Sequence, residues 1–420
     1  MDRNTITGLV LIGLILTVFS IINQPSEKDI KKKQEKEVVV DNQKPLKKEN
    51  TSNPKNNPAK TADKNVENSP KVDNIGKIIR LENEKLIVEF NTKGGIVAAV
   101  YLKDYKSYDD FSKNKDKPIC LFRDGDAYNQ LVFPLKDKKI YTKNEIFDIS
   151  EQTKNKIVFE WEIDGGKIRQ TYILKANKFD LDYVIQVEGL ETVSKENILL
   201  NWKTAFRKTE RLFSEQRRVS TICYNQKNEG FSYLSETADD NIELEDDLTW
   251  VAYKQSYFSS ILKPKDYFNK KGSTLNIHTY EEGKERDSSH LKDYNSNLSL
   301  NFKNDKASFS WYFGPNDYET LKSYDKEYDQ ILNFGWGIFR WINLYAVQPI
   351  FSLLVNSKIG IGIAILILTL ILKLILMPIQ WKMFLSSVKM KILKPEVDEL
   401  NAKYPKKEDA MKKQMEMMTL

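Results

Sequence analysis

The chain has 420 residues, with 65 Lys and Arg against 59 Asp and Glu, two Cys and two His. The net charge of +6 is small for this length and is spread through Lys/Glu mixtures, so it lacks the basic footprint of a direct nucleic-acid partner. Cys120 and Cys223 are too few for a disulfide framework, and with only His278 and His290 there is little material for a metal centre or a histidine-based triad.

Ile6–Ile22 is a charge-free run of 17 residues, at the lower limit for a spanning helix. It is followed by Asn23-Gln24-Pro25-Ser26 and not by an A-x-A-like cleavage site, which predicts an uncleaved anchor over residues 1–23. Arg3 precedes this run and Lys28, Lys31, Lys32 and Lys33 follow it, so the positive-inside rule votes badly here. Residues 24–75 are Lys, Glu, Asn and Pro with almost no aromatics. That composition cannot bury enough apolar surface to offset its ordering entropy, and it reads as a flexible tether.

From residue 76 to 330 the pattern changes to short runs rich in β-branched and aromatic residues: Lys85–Phe90, Ile96–Leu102, Lys156–Ile163, Arg169–Leu174, Leu181–Val187 and Ser308–Phe313. Gly94-Gly95, Asp164-Gly165-Gly166 and Gly314-Pro315 punctuate them. Many strands with turn signals and little helical period predict a β-sandwich of roughly 250 residues. The acidic pair Asp246-Asp247 reads as solvated loop.

Residues 331–357 are apolar and aromatic, with Trp336, Phe339, Trp341, Tyr345 and Phe351 around Arg340 and Gln348-Pro349. Read alone this could be another span, but a hairpin with the next run would send the Lys-rich end after Gln380 to the outer side. An amphipathic helix at the membrane interface fits better, since Trp and Tyr favour the headgroup level and Pro349 ends or kinks the first part. Residues 358–381 hold the next apolar run, Ile359–Met377, with Lys373 inside it. Its 13 Leu and Ile side chains contribute roughly −4 to −8 kcal/mol to insertion against about +3 for one Lys, so the segment is predicted to span. A cation in hydrocarbon needs a partner or water. Stepping about 100° per residue, Thr369 lies about 40° from Lys373 and Gly362 and Gln380 about 20° from it, a narrow polar and small stripe. Snorkelling of Lys373 to the interface is the plainer alternative.

Beyond Gln380 come Lys382, Lys389, Lys391 and Lys394, which place residues 382–420 on the cytoplasmic side and the β domain outside the cytoplasm. Val388, Ile392, Val397, Leu400 and Tyr404 recur at helical steps, as do Met411, Met415 and Met418 after Pro405, which predicts an antiparallel helical hairpin. Leu420 falls inside this pattern with no stop signal, so an incomplete chain is expected.

At several places the residues resemble the YidC family of membrane protein insertases: Asn91-Thr92-Lys93-Gly94-Gly95, Thr249-Trp250-Val251-Ala252 with Gln255-Ser256-Tyr257-Phe258, and Trp311-Tyr312-Phe313-Gly314-Pro315. The most telling stretch runs from Lys373 to Pro378, followed by Ser386-Ser387-Val388-Lys389-Met390 and Leu393-Lys394-Pro395. The resemblance implies an α-helical, multi-pass protein of a Gram-negative inner membrane with a large all-β periplasmic domain of the β-supersandwich fold. It further implies a cytoplasmic helical hairpin and a five-span core around a hydrophilic groove, of which one span lies in this chain. In that family the groove's basic residue matches Lys373. Most members carry Arg there, and Lys keeps the charge without the planar fork.

The function so implied is insertion and folding of nascent membrane proteins, alone or beside the Sec translocon, with no cofactor and no bond made or broken. Lys373 would attract, Thr369 and Gln380 would line the hydrated stripe, and the hairpin would receive substrate, the ribosome or the signal recognition particle. The rival on topology alone is a two-span sensor with an extracytoplasmic ligand-binding β domain.

Overall fold

Alternation of apolar and polar residues drives the middle of the chain into strands, because the side-chain period of two lets one face bury while the other stays wet. The strand Gly166–Leu174 alternates between buried and half-buried residues along its whole length. The computed structural model describes residues 76–135, 138–163, 165–190, 198–324, 327–357, 359–403 and 414–415. They divide into two units between Gly335 and Trp336. The anchor and tether expected over residues 1–75 lie outside the described residues, as does the hairpin turn expected at Pro405.

The β unit opens with β1 (Ile78–Glu82), β2 (Leu86–Asn91), β3 (Ile96–Leu102) and β4 (Ile119–Phe122), which form a four-stranded sheet in that order. Between β3 and β4 sits α1 (Tyr108–Ser112), whose N-cap Ser107 accepts from the Asp110 amide. Next come β5 (Ala127–Leu135), β6 (Lys138–Tyr141), β7 (Asp148–Gln152), β8 (Lys156–Ile163), β9 (Gly166–Leu174), β10 (Asp180–Glu188) and β11 (Leu199–Arg207). After α2 (Phe213–Arg218) follow β12 (Thr221–Gln226), β13 (Gly230–Tyr233), β14 (Asp240–Glu243), β15 (Leu248–Lys254) and β16 (Phe258–Pro264). The last strands are β17 (Asn269–His278), β18 (His290–Ser299) and β19 (Lys306–Pro315), before α3 (Tyr318–Lys322).

A nine-stranded sheet runs β13-β12-β15-β16-β19-β10-β9-β8-β7, and a six-stranded sheet runs β14-β17-β18-β11-β5-β6. The ladders between these strands are antiparallel. All three sheets share one apolar core. Trp202 of β11 lies edge-on to Trp311 of β19, joining the two large sheets, while Phe90 of β2 meets Phe159 and Tyr172 of the nine-stranded sheet. This is an all-β domain, as the strand pattern predicted and as the β-supersandwich implied by the resemblance requires, and the six strand runs predicted from the sequence fall within β2, β3, β8, β9, β10 and β19 apart from end residues.

Two motifs explain how the layers lock. Gly94 and Gly95 adopt φ of +87° and +61°, which other residues rarely reach, and bring their carbonyls to the Gln170 amide at 2.9 Å and the Tyr172 hydroxyl at 2.8 Å. At the end of β19 the Tyr312 hydroxyl donates to the Pro315 carbonyl at 2.6 Å, so a side chain at Gly314 would collide with the Tyr312 ring. Cys120 and Cys223 are free thiols, half-buried and buried. Asp246-Asp247 lies in a turn, where Asp246 caps the amide of Asn228.

The second unit is helical. Helix α4 (Ile338–Asn356) passes through a π-helical turn at Asn343–Val347 and restarts with Pro349 in the first turn of its second half. Pro lacks an N–H, so that position suits it. Helix α5 (Ile361–Lys403) is continuous for 43 residues, about 65 Å at 1.5 Å per residue. It carries Pro378 and Pro395 without breaking. The apolar run and the first basic helix after Gln380 are therefore one rod.

Candidate functional site

The site builds outward from the backbone of α5. Leu and Ile fill the run from Ile361 to Leu376 except at Gly362, Ala364, Thr369 and Lys373, and both α4 and α5 are long and apolar enough to cross a membrane. Helices α4 and α5 pack against each other within this unit. Ala364 is fully buried, and Ile367, Leu368, Ile371 and Leu372 are the other less exposed residues of the first turns. Their spacing of three and four marks one face of a helix.

Lys373 lies on the other side. At about 100° per residue, Ala364 is about 180° from it and Ile371 about 160°. Thr369, Lys373 and Gln380 are all exposed, so the polar stripe points away from the covered face of α5. The structure thus puts the three predicted site residues on one open side of one helix. The Thr369 hydroxyl donates to the Ile365 carbonyl at 2.8 Å, so its donor is satisfied within the helix while its lone pairs stay available. Among the described residues, Lys373 forms no ion pair. Pro378 has no N–H for the Leu374 carbonyl one turn earlier, which leaves a further acceptor beside the lysine. The sequence showed the stripe; it did not show the opposing covered face, which depends on the packing of a second helix.

A second polar constellation appears in the β unit. Ser289 Oγ lies 2.8 Å from His290 Nδ1, and His290 Nε2 lies 3.0 Å from Asp126. Those residue types in contact suggest a nucleophilic triad, yet the arrangement works as a clamp. Arg207 grips both carboxylate oxygens of Asp126, His290 is 4 % exposed, and together they tie the starts of β5 and β18 to the end of β11. Burial pushes the Asp126 carboxyl up, but the hydrogen bonds from His290 and Arg207 outweigh it and hold the acid below its ordinary value. Among the described residues no cluster of His, Cys, Asp and Glu could hold a metal ion.

Residues 78–353 match the family model for the YidC periplasmic domain, and residues 353–420 match that for the 60Kd inner membrane protein. The chain belongs to the YidC family. A relative from Bacteroides fragilis, named membrane protein insertase YidC, is 31 % identical over 442 residues, covering 100 % of this chain and 69 % of its own length. Relatives of the same name from Porphyromonas gingivalis and Azobacteroides pseudotrichonymphae are each 30 % identical across 100 % of this chain, over 70 % and 68 % of their own lengths. Among solved structures, a galactose mutarotase related enzyme from Lactobacillus acidophilus is 12 % identical with a TM-score of 0.34, covering 56 % of this chain and 97 % of its own. The family match extends through Lys373, so the stripe on α5 belongs to the segment the insertases share.

Proposed function

We propose that this chain is a membrane protein insertase that moves segments of nascent membrane proteins into the inner membrane. The observation that carries this reading is its identity of about 30 % to insertases along its whole length. Family membership leaves the two-span sensor without an observation in its favour.

The mechanism we propose starts from desolvation. A charged or polar segment entering hydrocarbon loses its hydration, a cost of several kcal/mol per group. A hydrated, protein-lined groove with one fixed cation lowers that cost for an acidic or polar segment, since opposite charges attract more strongly where the dielectric is low. Lys373 supplies the charge, while Thr369 and Gln380 keep water along the stripe. The substrate's apolar segment then leaves sideways into lipid, where burial of its side chains drives the step. No nucleotide, cofactor or covalent step enters.

The parts around the site follow in the same reading. The β unit is periplasmic, α4 lies at the outer interface, α5 spans, and its basic end from Lys382 onward is cytoplasmic. That basic end offers a landing surface for substrate or the ribosome, with the Sec translocon and the signal recognition particle pathway as partners upstream. Depleting the protein from cells and following a small single-span substrate by protease accessibility tests the function. The reading requires the substrate to remain uninserted until the gene is restored. Undiminished insertion in depleted cells would defeat it.

A further inference from the structure

Among the described residues of the β unit the three most exposed large apolar side chains are Phe111 at 70 %, Leu212 at 65 % and Tyr257 at 62 %. They come from three separate segments that the fold brings together. Phe111 lies on α1, which carries Tyr108 one turn earlier, and the Tyr108 amide donates to the Thr209 carbonyl at 2.8 Å. Arg211 stands over the Tyr108 ring at 5.8 Å, which puts Leu212 beside α1. Tyr105, just before α1, lies edge-on to Phe258 at 5.2 Å, the neighbour of Tyr257.

The same end of this unit is where the polypeptide leaves it. The Asn316 amide donates to the Tyr257 carbonyl at 2.7 Å, and Tyr318 meets Phe334 edge-on at 5.3 Å. Gly335 is the last residue of the unit, and Trp336, Ile338 and Phe339 follow. So the Tyr257 edge of the patch lies near Gly335, where the chain leaves the β unit. Exposed Lys113, Lys115, Lys117 and Arg211 lie on the same segments, interspersed with exposed Asp109, Asp116 and Glu215. Aromatic and aliphatic tips beside charges of both signs match the layered chemistry of a lipid headgroup region, apolar below and zwitterionic or charged at its surface. A partner protein would meet the same apolar tips, but covalent continuity with the spanning segments favours lipid.

We propose that Phe111, Leu212 and Tyr257 form a membrane-resting patch that dips into the headgroup region of the outer leaflet and holds the β unit against the bilayer. This rests on the reading of the chain as a membrane protein with its β unit outside the cytoplasm.

The test uses the complete protein in nanodiscs of phosphatidylethanolamine and phosphatidylglycerol, part of whose acyl chains are brominated. A small fluorophore is placed on Phe111→Cys, Leu212→Cys or Tyr257→Cys, with Tyr233→Cys as the exposed control, Leu366→Cys on α5 as the membrane reference, and the parent chain as the labelling blank. The expected result is quenching at 111, 212 and 257 at least twofold above that at 233. Quenching at 366 with 111, 212 and 257 no better than 233 overturns the patch alone. Absence of quenching at 366 as well overturns the membrane reading on which it stands. Cross-linking of position 111 to a protein without lipid quenching assigns the surface to a protein partner and likewise overturns the proposal.

Discussion

The Tyr253 hydroxyl donates to the carbonyl of Trp202 at 2.7 Å while the two rings stack 3.7 Å apart, so one residue pair joins the two large sheets by both a hydrogen bond and an aromatic contact. Tyr253 also reaches Ser296 Oγ at 2.9 Å, and both rings are almost fully buried. Replacing Tyr253 by Phe keeps the stack but orphans a buried carbonyl, at about 1–3 kcal/mol. Trp202→Ala removes the stack and leaves a cavity, at about 3–5 kcal/mol. Thermal unfolding followed by near-ultraviolet circular dichroism should rank wild type above Tyr253→Phe above Trp202→Ala. Equal midpoints for the two variants would contradict the assignment of Trp202 to the centre of the core.

Gly95→Ala tests the clamp between sheets. The new Cβ would sit 2.8 Å from the Gln170 amide nitrogen and 3.3 Å from Phe159 Cβ, at a φ of +61°. Strain of about 1–3 kcal/mol is expected, with loss of the bonds to Gln170 and Tyr172. Gly125→Ala is the control, because its φ of +86° is also positive but has open space around it. A smaller loss at Gly95 than at Gly125 would show that the close approach is unimportant.

Lys292 gives the β unit a pH signature. The residue is 2 % exposed, its ammonium donates to the carbonyls of Ser220 and Glu236, both at 2.7 Å, and burial lowers its pKa to about 8. Below that value the lysine is protonated in both states and adds no slope. Between about 8 and 10.4 the unfolded chain holds more protons, so stability should rise with pH across that window. Comparing the unfolding midpoint at pH 8 and pH 10 should show the rise in wild type and its loss in Lys292→Met. A fall through this window that Lys292→Met leaves unchanged would remove the lysine from the account.

Much of the β unit was legible because alternation and turn glycines report local geometry. The strand runs and the Gly94-Gly95 turn could be read directly, since φ above zero is demanded by the chain itself. What could not be read was long-range pairing. Nothing in the spacing of Asp126, Arg207 and His290 announces that they meet, because 81 and 164 residues separate Asp126 from its partners and contacts of that range have no periodic trace. For α5, the stripe of Thr369, Lys373 and Gln380 followed from helical geometry. The uninterrupted passage through Pro378 and Pro395 did not, since Pro in a helix interior signals a break that surrounding structure can override.

The proposed topology can be tested along the single rod. With Ile361–Lys403 continuous, a cysteine at position 400 lies roughly 40 Å from one at position 373. Leu400→Cys should label only after cells are permeabilised, whereas cysteines placed at Tyr345 and Ser352 in α4 should react from outside. Labelling of position 400 in intact cells would invert the scheme. Protection of both α4 positions would turn α4 from an interfacial helix into a span.

The most direct test of the mechanism compares Lys373→Arg and Lys373→Leu at matched membrane levels in cells depleted of the wild-type protein. A cation serving a hydrated groove should be replaced by Arg, and its loss in Lys373→Leu should slow insertion, most severely for substrates whose translocated tails are acidic. Snorkelling alone predicts the opposite, since removing the charge relieves about 3 kcal/mol of insertion cost. The inserted fraction of an acidic-tailed substrate, read by protease accessibility, should therefore fall severalfold in Lys373→Leu and stay near wild type in Lys373→Arg. Full insertion of that substrate by Lys373→Leu would contradict the role given to Lys373.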